Sequence, residues 1–269
     1  MKLARITAFS SSLLLGAVLA LTGAAPVQAA ESAAAVNYVA LGDSYSSGVG
    51  SGAYDSASGA CKRTPRAYPA LWAAANAPAS FAFTACSGAR TGDVTASQLG
   101  PLTATTTLVS VSIGGNDAGF SDVMTVCVLQ SEASCLNRIA QARAYVDSTL
   151  PGNLDTVYNA IRGKAPNARV VVLGYPRFYQ LQGTCVAGLS ETKRAAINNA
   201  SDYLNDATAK RAADHGFTFA GVAGAFTGHE ICSSGSWLHS LNVLDIGESY
   251  HPTAAGQSMG YLPVFSSAA

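Results

Sequence analysis

Five short apolar runs, separated by longer alanine-rich stretches, constrain the fold of this chain more than any other feature. The runs are rich in β-branched and aromatic residues and cover residues 36–41, 80–85, 106–113, 169–175 and 217–222. Strands that are apolar almost throughout are typical of a parallel sheet covered on both faces. The alternation of such strands with helices predicts a single three-layer α/β/α domain around a central, mostly parallel five-stranded sheet.

The stretches between these strands have the length and composition of helices. Helical patterns extend over 68–77 and 134–150, and another extends over 154–166 after a predicted break at the Pro-Gly-Asn of 151–153. The longest pattern follows Ser190, whose hydroxyl suits a helix N-cap, and ends at Gly216, which suits a C-terminal cap. We expect these helices to cover the faces of the sheet.

The N-terminal segment differs from the rest of the chain. Lys2 and Arg5 precede a mostly apolar run over 6–21, and small residues follow as far as Ala30. A basic start, an apolar run and small residues before a cleavage site are typical of a secretory signal peptide. We therefore expect a signal peptide over 1–29, with the cut as late as residue 33, and one extracellular, secreted domain over 34–269.

The cysteines and the charge balance narrow the class of protein further. Six cysteines in an exported chain predict three disulfides. Pairing of neighbours, which closes the shortest loops, favours Cys61–Cys86, Cys127–Cys135 and Cys185–Cys232, although other pairings remain open. The chain has 16 Lys and Arg against 16 Asp and Glu, so no excess of positive charge favours nucleic acid. We expect a monomer with no nucleic-acid partner, no metal ion and no other cofactor.

Four polar or glycine-rich motifs lie at positions where a parallel sheet places its functional groups. Gly-Asp-Ser-Tyr-Ser-Ser-Gly at 42–48 follows the first predicted strand, and Ser-Gly-Ala-Arg-Thr-Gly-Asp at 87–93 follows the second. Gly-Gly-Asn-Asp at 114–117 follows the third, and Ser-Tyr-His-Pro at 249–252 lies near the end of the chain. In open α/β sheets, catalytic groups collect at the carboxyl ends of the strands. The four motifs are therefore predicted to meet there.

Ser44 and His251 have the side chains that nucleophilic catalysis requires. A serine attacks an ester when a base takes its proton and N–H groups bind the resulting oxyanion. Taken alone, Ser44 is more typical of an ordinary turn than of a nucleophile. His251 precedes a proline at a predicted helix start, where the helix dipole favours a neutral imidazole. The backbone N–H groups of Ser44 and Gly88 and the side-chain amide of Asn116 are the candidate oxyanion donors.

Together the four motifs resemble those of the SGNH (GDSL) hydrolase superfamily, whose blocks I, II, III and V carry Ser, Gly, Asn and His. In this chain those residues are Ser44, Gly88, Asn116 and His251. The resemblance extends over almost the whole predicted domain and is closest to the secreted lipase, esterase and phospholipase A1 branch of actinomycetes. It implies the flavodoxin-like SGNH hydrolase fold.

The resemblance also implies an activity. A secreted serine ester hydrolase of the phospholipase A1 or lipase type would cleave acyl esters of lipids through a Ser–His acyl-enzyme mechanism, in transient contact with lipid aggregates or a membrane surface. An esterase for short-chain or sugar esters is the nearest alternative, and a non-catalytic secreted carbohydrate-binding module is another. Aromatic candidates for an apolar acyl groove are Tyr45, Tyr54, Phe120, Phe178 and Trp237.

One position departs from the family pattern. The pattern often reads Asp-x-x-His-Pro, with the aspartate orienting the histidine, whereas Glu248 stands three residues before His251 here. The imidazole is then oriented either by the side chain of Glu248 or by a main-chain carbonyl just upstream, as the resemblance implies for some members of this branch. We expect the carbonyl of Ser249 (or of Glu248) to accept the Nδ1 proton.

Overall fold

Across the residues that the computed structural model describes (35–182, 185 and 189–269), the core is a sheet of five strands. The strands are β1 (Asn37–Gly42), β2 (Ser80–Phe83), β3 (Leu108–Ser112), β4 (Arg169–Leu173) and β5 (Thr218–Ala220), in the spatial order β2-β1-β3-β4-β5. All neighbouring pairs are parallel. The predicted α/β fold and its five strands are confirmed, and the sheet is parallel throughout.

Helices flank this sheet. They are α1 (Ser44–Ser47), α2 (Tyr68–Asn76), α3 (Thr91–Asp93), α4 (Phe120–Leu129), α5 (Glu132–Ser148), α6 (Leu150–Lys164), α7 (Glu191–Asp214) and α8 (Leu262–Ala268). Two 3₁₀ helices cover Ser56–Cys61 and Ile246–Glu248, and two π-helical turns cover Val94–Gln98 and Gly256–Tyr261 in the described ranges. Along the chain, α4 to α7 pack one against the next, and α2 packs against α8.

The helix boundaries agree with the sequence in part. Ser190 caps α7 as predicted, because its Oγ accepts a hydrogen bond from the Lys193 N–H at 3.3 Å. The predicted break at 151–153 is wrong: α5 ends at Ser148 and α6 begins at Leu150. Pro151 lies in the first turn of α6. Backbone N–H groups there have no intrahelical acceptor, so a proline at this position costs the helix no hydrogen bond.

Burial explains why the centre of the sheet carries the functional loops. Every residue of β3 is buried, and β1 is buried from Tyr38 onward. The edge strand β2 is more exposed, and its Phe81 stacks against Tyr38 with ring centroids 5.1 Å apart. The register places Gly42 beside Ser112 at the ends of β1 and β3. The loops that leave these two central strands therefore start from a rigid, fully packed base.

The cysteines pair as Cys61–Cys86, Cys127–Cys135 and Cys185–Cys232. The first disulfide ties the segment after α1 to the loop that follows β2. None of the helices in the described part of the chain is both long and apolar enough to cross a membrane. The predicted signal peptide, residues 1–29 with a cut as late as 33, lies outside the described residues, as does residue 34 of the predicted domain.

Candidate active site

Ser44 and His251 meet at the carboxyl edge of the sheet. Ser44 is buried at the start of α1, and its Oγ lies 2.8 Å from Nε2 of His251. The preceding residue, Asp43, caps α1 by accepting a hydrogen bond from the Tyr45 N–H at 3.0 Å. Because the cap fixes the first turn, the Ser44 hydroxyl is held where the imidazole can take its proton.

The other ring nitrogen of His251 faces the main chain. Nδ1 lies 3.0 Å from the carbonyl oxygen of Ser249. A carbonyl oxygen only accepts, so Nδ1 carries the proton and Nε2 is free to accept from Ser44. The carboxylate of Glu248 turns instead to Tyr54, whose hydroxyl donates to Oε1 at 2.5 Å. The Ser249 carbonyl therefore occupies the position that a carboxylate takes in a Ser-His-Asp triad.

The segment that carries His251 is held from two sides. The His239 N–H donates to the carbonyl of His251 at 2.9 Å, and the Tyr250 N–H donates to the carbonyl of His239 at 3.0 Å. From the opposite side, the Tyr45 hydroxyl donates to the carbonyl of Tyr250 at 2.7 Å. Tyr250 has a φ of +66°, which a non-glycine residue adopts only when its surroundings enforce it. These contacts supply that constraint and fix the direction of the imidazole.

The surroundings of His251 favour its neutral form. The pKa of His251 is lowered from 6.5 to about 4, mainly because the packed site desolvates the ring, and the charges of His239 and Lys62 act in the same direction. The hydrogen bond to the carbonyl of Ser249 opposes this shift without overcoming it. Near neutral pH the imidazole is therefore unprotonated and able to act as a base.

A hydrogen bond joins the loop that carries Gly88 to the loop that carries Asn116. Asn116 lies at the start of the loop after β3 and lines the same pocket as Ser44, and its Nδ2 donates to the carbonyl of Ala89 at 3.0 Å. That bond engages one of its two amide hydrogens. Gly88, the neighbour of Ala89, has a φ of +79° with open space where a Cβ would be. No side chain therefore blocks this face of the Gly88 backbone.

A buried carboxylate beneath Ser44 completes the arrangement. Asp43 accepts a hydrogen bond from the hydroxyl of Tyr175, which in turn accepts from the Gly115 N–H at 3.2 Å. Burial raises the pKa of Asp43 to about 6, and its hydrogen bonds with Tyr175 and other groups oppose the rise. Tyr175 thus connects the residue before Ser44 to the residue before Asn116. In the sequence, Tyr175 is only the last residue of a predicted strand. That position placed it at the carboxyl edge of the sheet but did not indicate its hydrogen bond to Asp43.

An apolar pocket extends from Ser44 into the layer formed by α4, α5 and α7. Aliphatic and aromatic side chains make up most of its wall: Phe120, Val123, Met124, Val146, Phe178, Ile197 and Leu204. The rings of Phe120 and Phe178 stack with centroids 5.2 Å apart. A pocket of this composition suits a hydrocarbon chain whose ester lies at the Ser44 hydroxyl.

The five predicted groove aromatics separate into two groups. Tyr45, Phe120 and Phe178 line the pocket. Tyr54 binds Glu248 through its hydroxyl, and Trp237 stacks on His229 with ring centroids 3.7 Å apart. Among the described residues, His, Cys, Asp and Glu form no group of three or more that could hold a metal ion.

The pattern that defines the GDSL-like lipase/acylhydrolase family matches residues 40–259. The chain belongs to this family. That range contains every residue of the site described above, from Asp43 to His251. The resemblance inferred from the four motifs is therefore confirmed at the level of the family.

Three relatives illustrate how similar other members of the family are. Lipase 1 of Streptomyces coelicolor is 70% identical over 265 residues, which are 98% of this chain and 98% of that protein. The crystal structure of phospholipase A1 from Streptomyces albidoflavus NA297 matches with a TM-score of 0.86 and 68% identity, covering 88% of this chain and 100% of that chain. The crystal structure of the extracellular lipase from Streptomyces rimosus matches with a TM-score of 0.86 and 64% identity, covering 87% and 100%.

Proposed function

We propose that this protein is a secreted serine ester hydrolase that cleaves acyl esters of lipids, as a phospholipase A1 or lipase does. The observation that carries the proposal is the 2.8 Å contact between Ser44 Oγ and His251 Nε2, at the mouth of an apolar pocket. Family membership supports ester hydrolysis, and the relatives named above are called lipases or a phospholipase A1.

The proposed reaction has two acyl-transfer steps. Ser44 Oγ attacks the ester carbonyl carbon while Nε2 of His251 takes the hydroxyl proton. The tetrahedral oxyanion accepts hydrogen bonds from the N–H groups of Ser44 and Gly88 and from the side-chain amide of Asn116. When the carbon–oxygen bond breaks, His251 gives its proton to the departing alcohol.

The acyl-enzyme is then hydrolysed by water. His251 takes a proton from the water molecule, whose oxygen attacks the acyl carbon, and later returns that proton to Ser44 Oγ as the carboxylic acid leaves. Throughout both steps the carbonyl of Ser249 accepts a hydrogen bond from Nδ1–H of His251 and stabilises the imidazolium as it forms. The apolar pocket keeps the acyl chain in line with the Ser44 hydroxyl.

The proposed setting is extracellular. The signal-peptide pattern over 1–29 and the disulfides support export, and one of the close relatives is named an extracellular lipase. We assign the mature domain to 34–269 and expect it to act as a monomer that contacts lipid aggregates transiently.

Product analysis on a phosphatidylcholine with different sn-1 and sn-2 chains tests this function. Wild type is expected to release fatty acid, predominantly from sn-1 if the activity is of the phospholipase A1 type, and Ser44→Ala to release none. Equal release by Ser44→Ala would contradict the assignment. A preference for p-nitrophenyl acetate over the octanoate and dodecanoate esters would contradict the lipid substrate and favour a short-chain or sugar esterase.

A further inference from the structure

Four aliphatic side chains near His251 stand largely in water. Leu244 is 96% exposed, Val243 is 75% exposed, Ile246 is 63% exposed and Leu129, at the end of α4, is 75% exposed. Single exposed aliphatic residues are ordinary on protein surfaces, but a group of them beside a functional site indicates an interaction surface. We call these four residues the apolar rim.

The rim borders a groove that reaches the catalytic histidine. Leu129 stands on the α4 side of this groove, and Val243 and Ile246 stand on the opposite side. Ser249 and His251 also line it. Phe120 and Met124 line both this groove and the acyl pocket, so the two apolar sites adjoin at these side chains. A lipid that leaves an aggregate at the rim therefore meets the reacting groups directly.

The loop over 241–248 is built to expose its aliphatic side chains. The Oδ1 atom of Asn242 accepts from the Leu244 N–H at 3.1 Å, and Oδ1 of Asp245 accepts from the Gly247 N–H at 3.1 Å. The Asn242 N–H itself donates to Oγ of Ser249 at 2.9 Å. Because these amides already have partners, moving the loop out of water does not leave them unsatisfied.

Two ion pairs lie beside the rim: Asp245 is 3.7 Å from Lys62, and Asp122 on α4 is 3.8 Å from Arg138. Glu248 adds one carboxylate, which accepts a hydrogen bond from the Tyr54 hydroxyl. No excess of positive charge among these groups attracts an anionic surface, so the apolar area suits neutral or zwitterionic lipid. Leu244 lies outside the groove lining, so a single lipid in the groove does not cover it, whereas the surface of an aggregate does.

We propose that the apolar rim enters the outer layer of aggregated neutral or zwitterionic lipid and holds the enzyme there with its groove facing the lipid. This inference rests on the proposed lipid hydrolase function and names the surface through which that function reaches its substrate.

Vesicle sedimentation with phosphatidylcholine tests the rim in a Ser44→Ala background, where no lipid is consumed. Adding Leu244→Asn is expected to weaken binding about tenfold, because the transfer of one leucine side chain from water is lost. Met259, which is 51% exposed and lines neither the groove nor the pocket, supplies the control, and Met259→Gln is expected to change binding by less than about twofold. Equal binding by both variants would overturn the proposal.

Two further readouts identify the occupant. The fluorescence of a Leu244→Trp variant is expected to shift to the blue on vesicle addition and to be quenched by brominated acyl chains, and an unchanged spectrum would overturn the proposal. If the protein instead forms a dimer in the absence of lipid, and Leu244→Asn abolishes that dimer, the occupant of the rim is a second copy of this chain and the proposal is overturned. These binding results are independent of turnover, so a wild type that binds vesicles without hydrolysing them would refute the proposed function alone.

Discussion

Replacing Glu248 by glutamine separates the two ways of orienting His251. The Glu248 carboxylate accepts a hydrogen bond from Tyr54 at 2.5 Å, whereas His251 Nδ1 donates to the Ser249 carbonyl at 3.0 Å. Glutamine keeps the length of the side chain and an oxygen that accepts from Tyr54, so the loss is limited to part of one hydrogen bond, about 1 kcal/mol. Even if all of it reached the transition state, kcat/KM would fall by less than about tenfold.

A true triad carboxylate behaves differently, because its replacement by the amide lowers kcat about 10⁴-fold in Ser-His-Asp proteases. Steady-state kinetics on a p-nitrophenyl ester distinguish the two magnitudes. Tyr54→Phe is the matched control, since it removes the same hydrogen bond but keeps the Glu248 carboxylate. Both variants are expected to lose little activity. If only Glu248→Gln loses about 10⁴-fold, Glu248 orients His251 and the assignment to the Ser249 carbonyl is refuted.

Three other predictions concern single groups of the site. Asn116→Ala is expected to lower kcat about 10²–10³-fold in steady-state kinetics, because one oxyanion donor is lost, and an unchanged kcat would remove Asn116 from that role. NMR titration of the His251 imidazole is expected to give a pKa near 4, because desolvation disfavours the charged ring, and an ordinary value of 6.5 would contradict that desolvation. Because the folded-state pKa of Asp43 is raised to about 6, its contribution to stability is complete below the unfolded value of 3.8 and is lost as the pH rises through 6. Tyr175→Phe removes a hydrogen-bond donor to the Asp43 carboxylate and raises the pKa of Asp43 further. In urea unfolding, this variant should therefore lose about 1–3 kcal/mol more stability at about pH 8 than at about pH 4. Equal losses at the two pH values would contradict the raised pKa of Asp43.

The sheet and the edge that carries the site could be predicted because both depend on local patterns. The run over 169–175, for example, is too apolar for a half-exposed strand, and β4 at Arg169–Leu173 is buried after its first residue. Parallel strands also place their carboxyl ends at one edge, which brought Ser44, after β1, and Asn116, after β3, together in the expectation although they lie far apart in the chain.

The remaining features depend on contacts that no local pattern contains. The hydrogen bond between Tyr175 and Asp43 joins residues that follow two different strands, β4 and β1, and either residue alone fits an ordinary buried position. Residues 241–246, Leu-Asn-Val-Leu-Asp-Ile, have the apolar content of a core segment, yet most of their aliphatic side chains face solvent. Exposure is decided by how the whole chain packs, so the apolar rim could not be predicted from this segment.

Covalent labelling tests the central claim, that Ser44 is the nucleophile and His251 its base, most directly. The protein is treated with a p-nitrophenyl alkylphosphonate, and intact-mass spectrometry with peptide mapping locates the adduct. We predict a single adduct on Ser44, loss of ester hydrolysis in proportion to labelling, and strongly slowed labelling in His251→Ala. An adduct on another residue, or hydrolysis that persists in fully labelled protein, would contradict the account.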